Sequence, residues 1–323
     1  MKKIFKAGGI TIILGVIIAI VGAVFNGVRA VEFVNLKPQI VQKGKKITKN
    51  YSATDFTTIK FDNNNADGSA YDVEIKQGSN YKVTYTGNSK YEPKVSVSND
   101  SLTITPSKRN HSTVGFYYTN YESRVGKITI TVPENVKLDK LSLEGFVRSL
   151  VLSDLNITEL TSDKHTYADA ATFKNLTVDQ LELNLGVGDE LFIKDSKLSN
   201  GTLDFSGDLR VSGGELTDIA ITSNQDGDVD FLNGTTITNG SVKLTDADFT
   251  ANGVTFHGKY EVTNKDGDNN VSNVTVQGYR IVTTDGTNTL FDQVQNNGGT
   301  LEQNTDQADV LTLTNTDGDN TVK

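Results

Sequence analysis

A repeat of about 20 residues runs through the middle of this chain and constrains its fold more than any other feature. In each copy an apolar residue is followed, after four spacer residues (five in one copy), by a second apolar residue. The copies are Val136/Leu141, Leu155/Leu160, Leu176/Leu181, Leu198/Leu203, Leu216/Ile221, Ile237/Val242, Phe256/Val262 and Val276/Ile281. Turns at Gly188-Asp189, Gly207-Asp208, Gly227-Asp228, Asp246–Asp248 and Gly267-Asp268 keep the same step. A fixed period of this size indicates a solenoid or another array of stacked repeats.

The repeat from Leu176 to Ile193 illustrates what one copy can form. Apolar and polar residues alternate within three short runs, and this period of two places one set of side chains on a single face, as in a half-buried strand. Such short strands cannot form a sheet alone, but equivalent strands of stacked coils pair in parallel about 4.8 Å apart. The predicted fold class is therefore all-β, a parallel β-solenoid (β-helix). A β-sandwich and a propeller stay open as alternatives, because both also have short strands with frequent turns.

The N-terminus predicts a membrane anchor. Residues 7–25 carry no charge and are long enough to span a bilayer, and three lysines in residues 1–6 precede them. The positive-inside rule then predicts a single-pass protein of the cell membrane, with residues 1–6 in the cytoplasm and the body outside. A cleaved signal peptide, with Val21–Ala23 as its small-residue site, is the competing interpretation. Residues 26–50 form a basic connector whose lysines attract anionic headgroups or wall polymers, or serve as a solvated spacer.

The rest of the chain divides into three predicted segments. Residues 51–133 have longer alternating runs separated by hairpin-like turns, which predicts an antiparallel β segment that caps the first coil. Residues 134–295 carry the solenoid repeats. Residues 296–323 are mostly polar, which predicts a partly disordered tail.

Charge and cysteine content exclude some functions. The chain has a net charge of −9, yet residues 1–50 are strongly basic, so the acidic excess lies in the body and disfavours nucleic acid as a partner. The chain has no cysteine, which excludes disulfides, thiol chemistry and cysteine-ligated metals.

Turns rich in carboxylates are the candidate metal sites. Asp226, Asp228 and Asp230 surround one Asp-Gly turn, and Asp266 and Asp268 flank another. Carboxylate oxygens suit calcium, and extracellular calcium levels match weak sites. However, neither turn has the glutamate of an EF-hand loop or a calcium β-roll motif, and Asp-Gly is also a favoured tight turn. The sequence predicts no cofactor, with weak calcium binding as the alternative.

A cluster of aromatic residues interrupts the alternation of the cap. Phe116, Tyr117, Tyr118 and Tyr121 lie close together, and they either form a platform for a sugar ring or a protein partner or cover the open end of the core. The three histidines are scattered, and no nucleophile, zinc or phosphate-loop motif occurs. The chain is therefore predicted not to be an enzyme.

Five stretches resemble a known family. They are Phe56–Lys60, Tyr71–Ile75, Leu102–Ile104, Ile128–Pro133 and Leu185–Asp189. Over roughly residues 51–290 the chain resembles the bacterial putative-adhesin family with β-strand repeats, a domain of unknown function, and its N-terminal anchor is similar to that of low-GC Gram-positive members. The resemblance implies a β-solenoid exposed at the cell envelope and brings no catalytic residues.

These observations predict a membrane-anchored, surface-exposed protein that binds or senses something at the bacterial envelope. The expected partners are membrane lipid, through the N-terminal helix, and a cell-wall polymer, a glycan or an envelope protein. An envelope-stress regulator acting through protein contacts is the alternative function, and a carbohydrate-active enzyme is a third.

Overall fold

The structure is a computed structural model that describes residues 8, 11–18, 20, 31–34, 37–40, 44–53, 55–62, 70–106, 112–114, 125–223 and 227–323. Strands dominate this part of the chain, with a short 3-10 turn at Ser89–Tyr91. The strands are β1 (Val31–Val34), β2 (Lys37–Ile40), β3 (Lys46–Tyr51), β4 (Thr58–Phe61), β5 (Ala70–Gly78), β6 (Lys82–Asn88), β7 (Lys94–Ser98), β8 (Ser101–Thr105), β9 (Ser112–Val114), β10 (Val125–Pro133), β11 (Lys137–Leu143), β12 (Phe146–Ser153), β13 (Asn156–Ser162), β14 (Thr166–Lys174), β15 (Thr177–Ser223), β16 (Val229–Leu232), β17 (Thr236–Leu244), β18 (Phe249–Asn252), β19 (Thr255–Asp266), β20 (Asn269–Ser272), β21 (Gly278–Asp285), β22 (Asn288–Leu290), β23 (Gln293–Gln295), β24 (Gly299–Gln303), β25 (Val310–Asp317) and β26 (Asn320–Val322).

The middle of the chain is a solenoid of parallel strands. One wall runs β11–β13–β15–β17–β19, and the other runs β12–β14–β15–β16–β18–β20. Each strand pairs with its equivalent one coil later, so Leu141 faces Leu160, which faces Leu181. The alternating apolar side chains of both walls are buried in one core. The predicted parallel β-solenoid is confirmed.

Left-handed backbone at polar residues turns the coils. Asp154, Asn175 and Asp195 have φ values of 57°, 51° and 48° and follow the end of one wall in three successive coils. Asparagine and aspartate tolerate this conformation better than other non-glycine residues. The amide of Asn175 also donates to the carboxylate of Asp154 at 2.8 Å, which links two corners. The corners therefore stack as regularly as the strands.

The N-terminal end is mixed rather than antiparallel, which corrects the sequence prediction. β4 and β5 form a coil that lies between β8 and β10 on one side and β11 and β12 on the other, and all four contacts are parallel. The antiparallel pairings are those of β3 with β6, β6 with β10 and β7 with β8. Only the outermost strands thus follow the hairpin pattern, because the inner ones continue the solenoid core. β1, β2 and β9 form a separate small antiparallel sheet.

The C-terminal end also departs from sequence order, and residues 296–323, predicted to be a partly disordered tail, contain the strands β24, β25 and β26. β25 pairs in parallel with both β19 and β21, and β26 pairs with both β20 and β22. Residues 310–322 therefore form a coil inserted between two coils that precede it in the chain. Val310, Leu311, Leu313 and Val322 are buried there, which explains why this polar stretch is ordered. The strands β23 and β24 then close the end by antiparallel pairing with β22 and β21.

A column of buried asparagines lies inside these last coils. Asn269 donates to Asn320 at 2.7 Å, and Asn320 donates to Asn288 and to the carbonyl of Val282, both at 2.8 Å. The amide of Asn288 donates to the carbonyl of Gly299 in the capping segment, also at 2.8 Å. Each amide thus satisfies the next, as buried polar groups require.

The N-terminal segment is described only in part. Residues 11–18 are helical, whereas residues 1–6 and much of residues 7–25 and 26–50 lie outside the described residues. Within the part of the chain that is described, no helix is both long and apolar enough to cross a membrane.

Candidate functional site

Of the two sites predicted from the sequence, the structure describes most of the aspartates but not the aromatic cluster. The aromatic cluster of Phe116, Tyr117, Tyr118 and Tyr121 lies outside the described residues, as does Asp226. The other candidate aspartates are described: Asp228 and Asp268 lie on the outside of coil corners, whereas Asp230 and Asp266 belong to strands β16 and β19.

The structure brings two of these aspartates into one ladder. The carboxylate of Asp208 accepts from the backbone N–H of Asp228, that of Asp228 from Asp248, and that of Asp248 from Asp268, at 3.2, 2.8 and 2.8 Å. Asp268 in turn accepts from the N–H of Asp319, which lies on the inserted coil, at 2.9 Å. Each negative charge therefore meets a backbone dipole of the next coil, and the ladder links coils that are remote in sequence. Although Asp189 belongs to the same series of Gly-Asp turns, the ladder begins one coil later, at Asp208.

A second acidic column runs beside the ladder. Asp266 faces Asp317, which faces Asp285 on the adjoining strand. A hydrogen bond from Asp246, together with Lys265 and Asp317, holds the pKa of Asp266 below its ordinary value although partial desolvation opposes this. Asp230 lies apart from both columns and contacts Arg210 at 3.5 Å. Within the described residues no three acidic or histidine side chains converge as a metal would need, so calcium binding stays a prediction.

A cleft that the sequence did not predict lies on the outer surface of the early coils. It encloses about 270 Å³ between the turn that holds Lys164 and His165 and the neighbouring coils. Its lining residues are Lys164, His165, Thr166, Tyr167, Asn184, Leu185, Gly186, Phe205 and Ser206. Leu185 and Phe205 are buried, so the lining mixes apolar side chains with polar groups.

Tyr167 forms one wall of this cleft and is held on both faces. Its ring stacks on Phe146, with centroids 5.6 Å apart and planes 10° from parallel. On the other face it covers two glycines, since a Cβ on Gly186 would come within 2.9 Å of the ring and one on Gly188 within 2.4 Å of the hydroxyl. The side chain nevertheless stays 36% exposed. The glycines thus fix an exposed ring in one orientation at the edge of the cleft.

The turn above the cleft is fixed by its own hydrogen bonds. The carboxylate of Asp163 accepts from the N–H of His165 and from the hydroxyl of Thr166, at 3.1 and 2.8 Å. That hydroxyl also lies 2.9 Å from the carbonyl of Leu143 in the preceding coil. On the opposite side, the hydroxyl of Ser162 bonds the backbone of Asn184. The backbone on both sides of the cleft is therefore preorganised.

His257, the other described histidine, does not line the cleft. His257 lies near Asp309, with 3.6 Å between its Nδ1 and the carboxylate, and His111 lies outside the described residues. Several charged side chains on the outer walls instead pair from coil to coil, as do Lys140 with Glu159 and Lys197 with Glu215.

Comparisons with known proteins agree with this architecture. The chain matches the family model described as Toastrack DUF4097 over residues 59–323. No curated protein matches it.

The solved structures that resemble it are distant in sequence. A protein described as a putative lipid binding protein from Parabacteroides distasonis ATCC 8503 is 12% identical with a TM-score of 0.51, covering 87% of this chain and 98% of that one. A putative adhesin from Parabacteroides merdae ATCC 43184 is 14% identical with a TM-score of 0.48, covering 86% and 95%.

At such identities the likeness concerns the fold alone. The family model, in contrast, matches most of the chain, and it agrees with the resemblance found in the strand repeats. This chain belongs to the Toastrack DUF4097 family.

Proposed function

We propose that this protein is a non-catalytic binding module of the bacterial cell envelope, anchored by its N-terminal segment and exposing its solenoid outside the cell. The cleft beside Tyr167 carries the proposal. It joins an exposed, immobilised aromatic ring to amide, hydroxyl and cationic groups. Such a combination recognises sugars, since the exposed edge of an aromatic ring packs against their C–H groups while amides and hydroxyls bond their oxygens.

The size and charge of the cleft narrow the ligand class. Its volume, ≈ 270 Å³, lies just below the range of about 300–1,000 Å³ that is common for ligand pockets, which suits one sugar unit of a longer chain. Lys164 and His165 at its rim would favour acidic groups on that chain, although the protein as a whole is acidic. We therefore infer a wall glycan that bears carboxylate or phosphate groups.

The anchor rests on the N-terminal residues. Ile12, Ile13, Leu14, Ile17 and Ile18 belong to the described helical residues and are between 53% and 69% exposed. Aliphatic side chains exposed at this density favour a lipid environment over water. The three lysines before them would keep the N-terminus in the cytoplasm, as in the low-GC Gram-positive type of this family.

Binding of the full-length chain in detergent micelles to purified cell-wall glycan tests the proposal. Lys164→Ala and Asn184→Ala should each weaken binding roughly threefold to tenfold, because each removes one polar contact. Lys194→Ala is the matched control, since Lys194 is an exposed lysine outside the cleft. Equal binding by all variants would contradict the cleft as the site.

Three other outcomes would replace the proposal. Capture of an envelope protein without glycan binding would favour the regulatory function. Release of soluble sugar from the glycan would favour an enzyme. Binding to lipid vesicles that is lost in Lys164→Ala would instead indicate that the cleft binds lipid, as the description of the structural neighbour from Parabacteroides distasonis suggests for that protein.

A further inference from the structure

The coil formed by residues 310–322 is held between two coils that pair with it in the same way. On one side it meets β19 and β20, on the other β21 and β22, and all four contacts are parallel. A loop of residues 304–309 is its connection to the preceding capping strand β24. The segment thus fills a slot in the interior of a sheet, and a loop of six residues links it to the capping strand before it.

The two walls of this slot are chemically alike. Tyr260 and Tyr279 both face Leu311, and Val262 and Ile281 both face Leu313. On the other wall Asn269 and Asn288 both face Asn320. The slot therefore specifies its occupant by side chains as well as by backbone, in the manner of β-strand addition.

The slot also contains a local weakness. Within the described residues, the buried side-chain polar atoms that lack a hydrogen-bond partner are the Tyr260 hydroxyl and the Oδ1 atoms of Asn264 and Asn315. All three lie where the inserted segment meets the last regular coil, since Tyr260 faces Leu311 and Asn264 faces Asn315. An unpaired buried polar atom is costly, and exposure to water removes that cost. Opening of this junction is therefore favoured over opening between regular coils.

One residue fastens the loop to the body. The carboxylate of Asp309 accepts from the N–H of Gly258 at 2.7 Å, and its backbone carbonyl accepts from Gly278 at 3.0 Å. The ammonium of Lys259 donates to the carbonyl of Gln307 at 2.7 Å. These contacts hold the point at which the segment would leave the slot.

We propose that residues 310–322 are exchanged between two copies of this protein, the segment of one copy filling the slot of the other. The occupant is a second copy because its segment has the same sequence and restores every contact described above, as in domain swapping. The exchange would link envelope-anchored copies without a new interface. It does not depend on the proposed glycan binding, and its test is separate.

The absence of cysteine from the chain makes exchange directly measurable. Thr263 and Thr314 face each other across the junction on outward positions. The full-length variants Thr263→Cys and Thr314→Cys are mixed in detergent under mild oxidation, so that exchange brings one cysteine from each copy together. We expect a disulfide-linked pair of the two variants that accumulates with time.

The matched control is a mixture of Thr250→Cys and Asn270→Cys. These positions also face each other on adjacent strands, but in two consecutive coils that have no inserted segment between them. This mixture should form the linked pair at least about tenfold more slowly, which measures random collision. Asp309→Asn should speed the exchange of the first mixture on the order of tenfold, because it weakens a charge-assisted hydrogen bond.

A double variant with both Thr263→Cys and Thr314→Cys establishes that the geometry permits the bond, since it should form the disulfide within one chain. If that internal disulfide forms while both mixtures give the same slow background, exchange does not occur and the proposal is overturned. If the internal disulfide fails to form, the assigned register of the inserted segment is wrong, and the proposal falls with it.

Discussion

Replacement of Asn320 by alanine tests the buried asparagine column. Asn320 is fully buried and takes part in three hydrogen bonds, accepting from Asn269 and donating to Asn288 and to the carbonyl of Val282. Alanine would leave those three groups without this partner inside the core. Each such group costs about 1–3 kcal/mol, and the end of the solenoid can admit some water, so we expect a loss of about 3–6 kcal/mol.

The assay combines thermal unfolding with hydrogen exchange. For a body of this size, 1 kcal/mol corresponds to roughly 2–4 °C in Tm, so Asn320→Ala should lower Tm by at least about 6 °C if the solenoid unfolds as one unit. If the last coils open first, the loss should instead appear as faster amide exchange in residues 278–290 and 310–322. Both readouts report the same missing contacts.

Asn270→Ala provides the matched control. Asn270 is the residue after Asn269, but it is exposed on the outside of the coil. Its replacement should change stability by no more than about 0.5 kcal/mol. Our account would be refuted if Asn320→Ala and Asn270→Ala had the same Tm and the same amide protection in the last coils, because the asparagine column would then not hold these coils together.

Glu74, Gly240 and Asp248 provide three more tests. Burial opposes ionisation of Glu74, but two lysines outweigh it and lower its pKa from 4.5, so the charged group contributes its full stability above that pH and loses it as the pH falls. Glu74→Gln should therefore lower Tm near pH 7, and the difference from the unmodified protein should shrink as the pH falls below 4.5. Gly240→Ala should lower the free energy of unfolding by several kcal/mol, because φ is +106° and the added Cβ would lie 2.3 Å from a carbonyl oxygen. Gly234→Ala, where the added Cβ would have room, should lower it by only about 1 kcal/mol. Asp248→Asn should leave the free energy of unfolding unchanged, because an amide oxygen can still accept from the N–H of Asp268, whereas Asp248→Ala should lower it by about 1 kcal/mol. An equal loss in both variants would contradict the ladder.

The period of the sequence was sufficient to predict the middle of the fold. Leu160 and Leu181 each occupy the same place in a repeat, and the structure pairs them. This works because alternation decides which side chains are buried, and a constant step decides which residues stack. Both rules are local and apply to every coil, so each repeat of the sequence independently predicts the same strand pairing.

The ends of the solenoid could not be predicted in this way. A counted period assumes that coils stack in sequence order, and the inserted coil breaks that order. A signal was nevertheless present, since Thr263–Asn269 and Thr314–Asn320 share Thr-Asn-x-Asp-Gly-Asp-Asn. Such similarity identifies both stretches as parts of coils. Whether they lie side by side depends on which exposed strand edge the later stretch pairs with. That choice is a matter of tertiary packing, which no local pattern encodes.

The cleft was missed for a different reason. Tyr167 occupies an outward position of an alternating strand, where a hydrophobic pattern carries no information about neighbours. The glycines Gly186 and Gly188 are visible in the sequence, but glycine there is equally typical of a turn. Their role emerges once the coils are stacked, because the missing side chains of one coil make room for the ring of the coil before it. A site made by stacking requires the register between coils.

The aspartate columns show how one residue pattern can favour two different structures. Calcium requires six to eight oxygens that converge on one point. In the ladder, by contrast, each carboxylate from Asp208 to Asp268 meets a single backbone N–H of the next coil. The repulsion expected between carboxylates stacked about 4.8 Å apart is thereby offset one charge at a time, without a cation. Because each bond joins neighbouring coils, these acidic residues contribute to holding the solenoid in register.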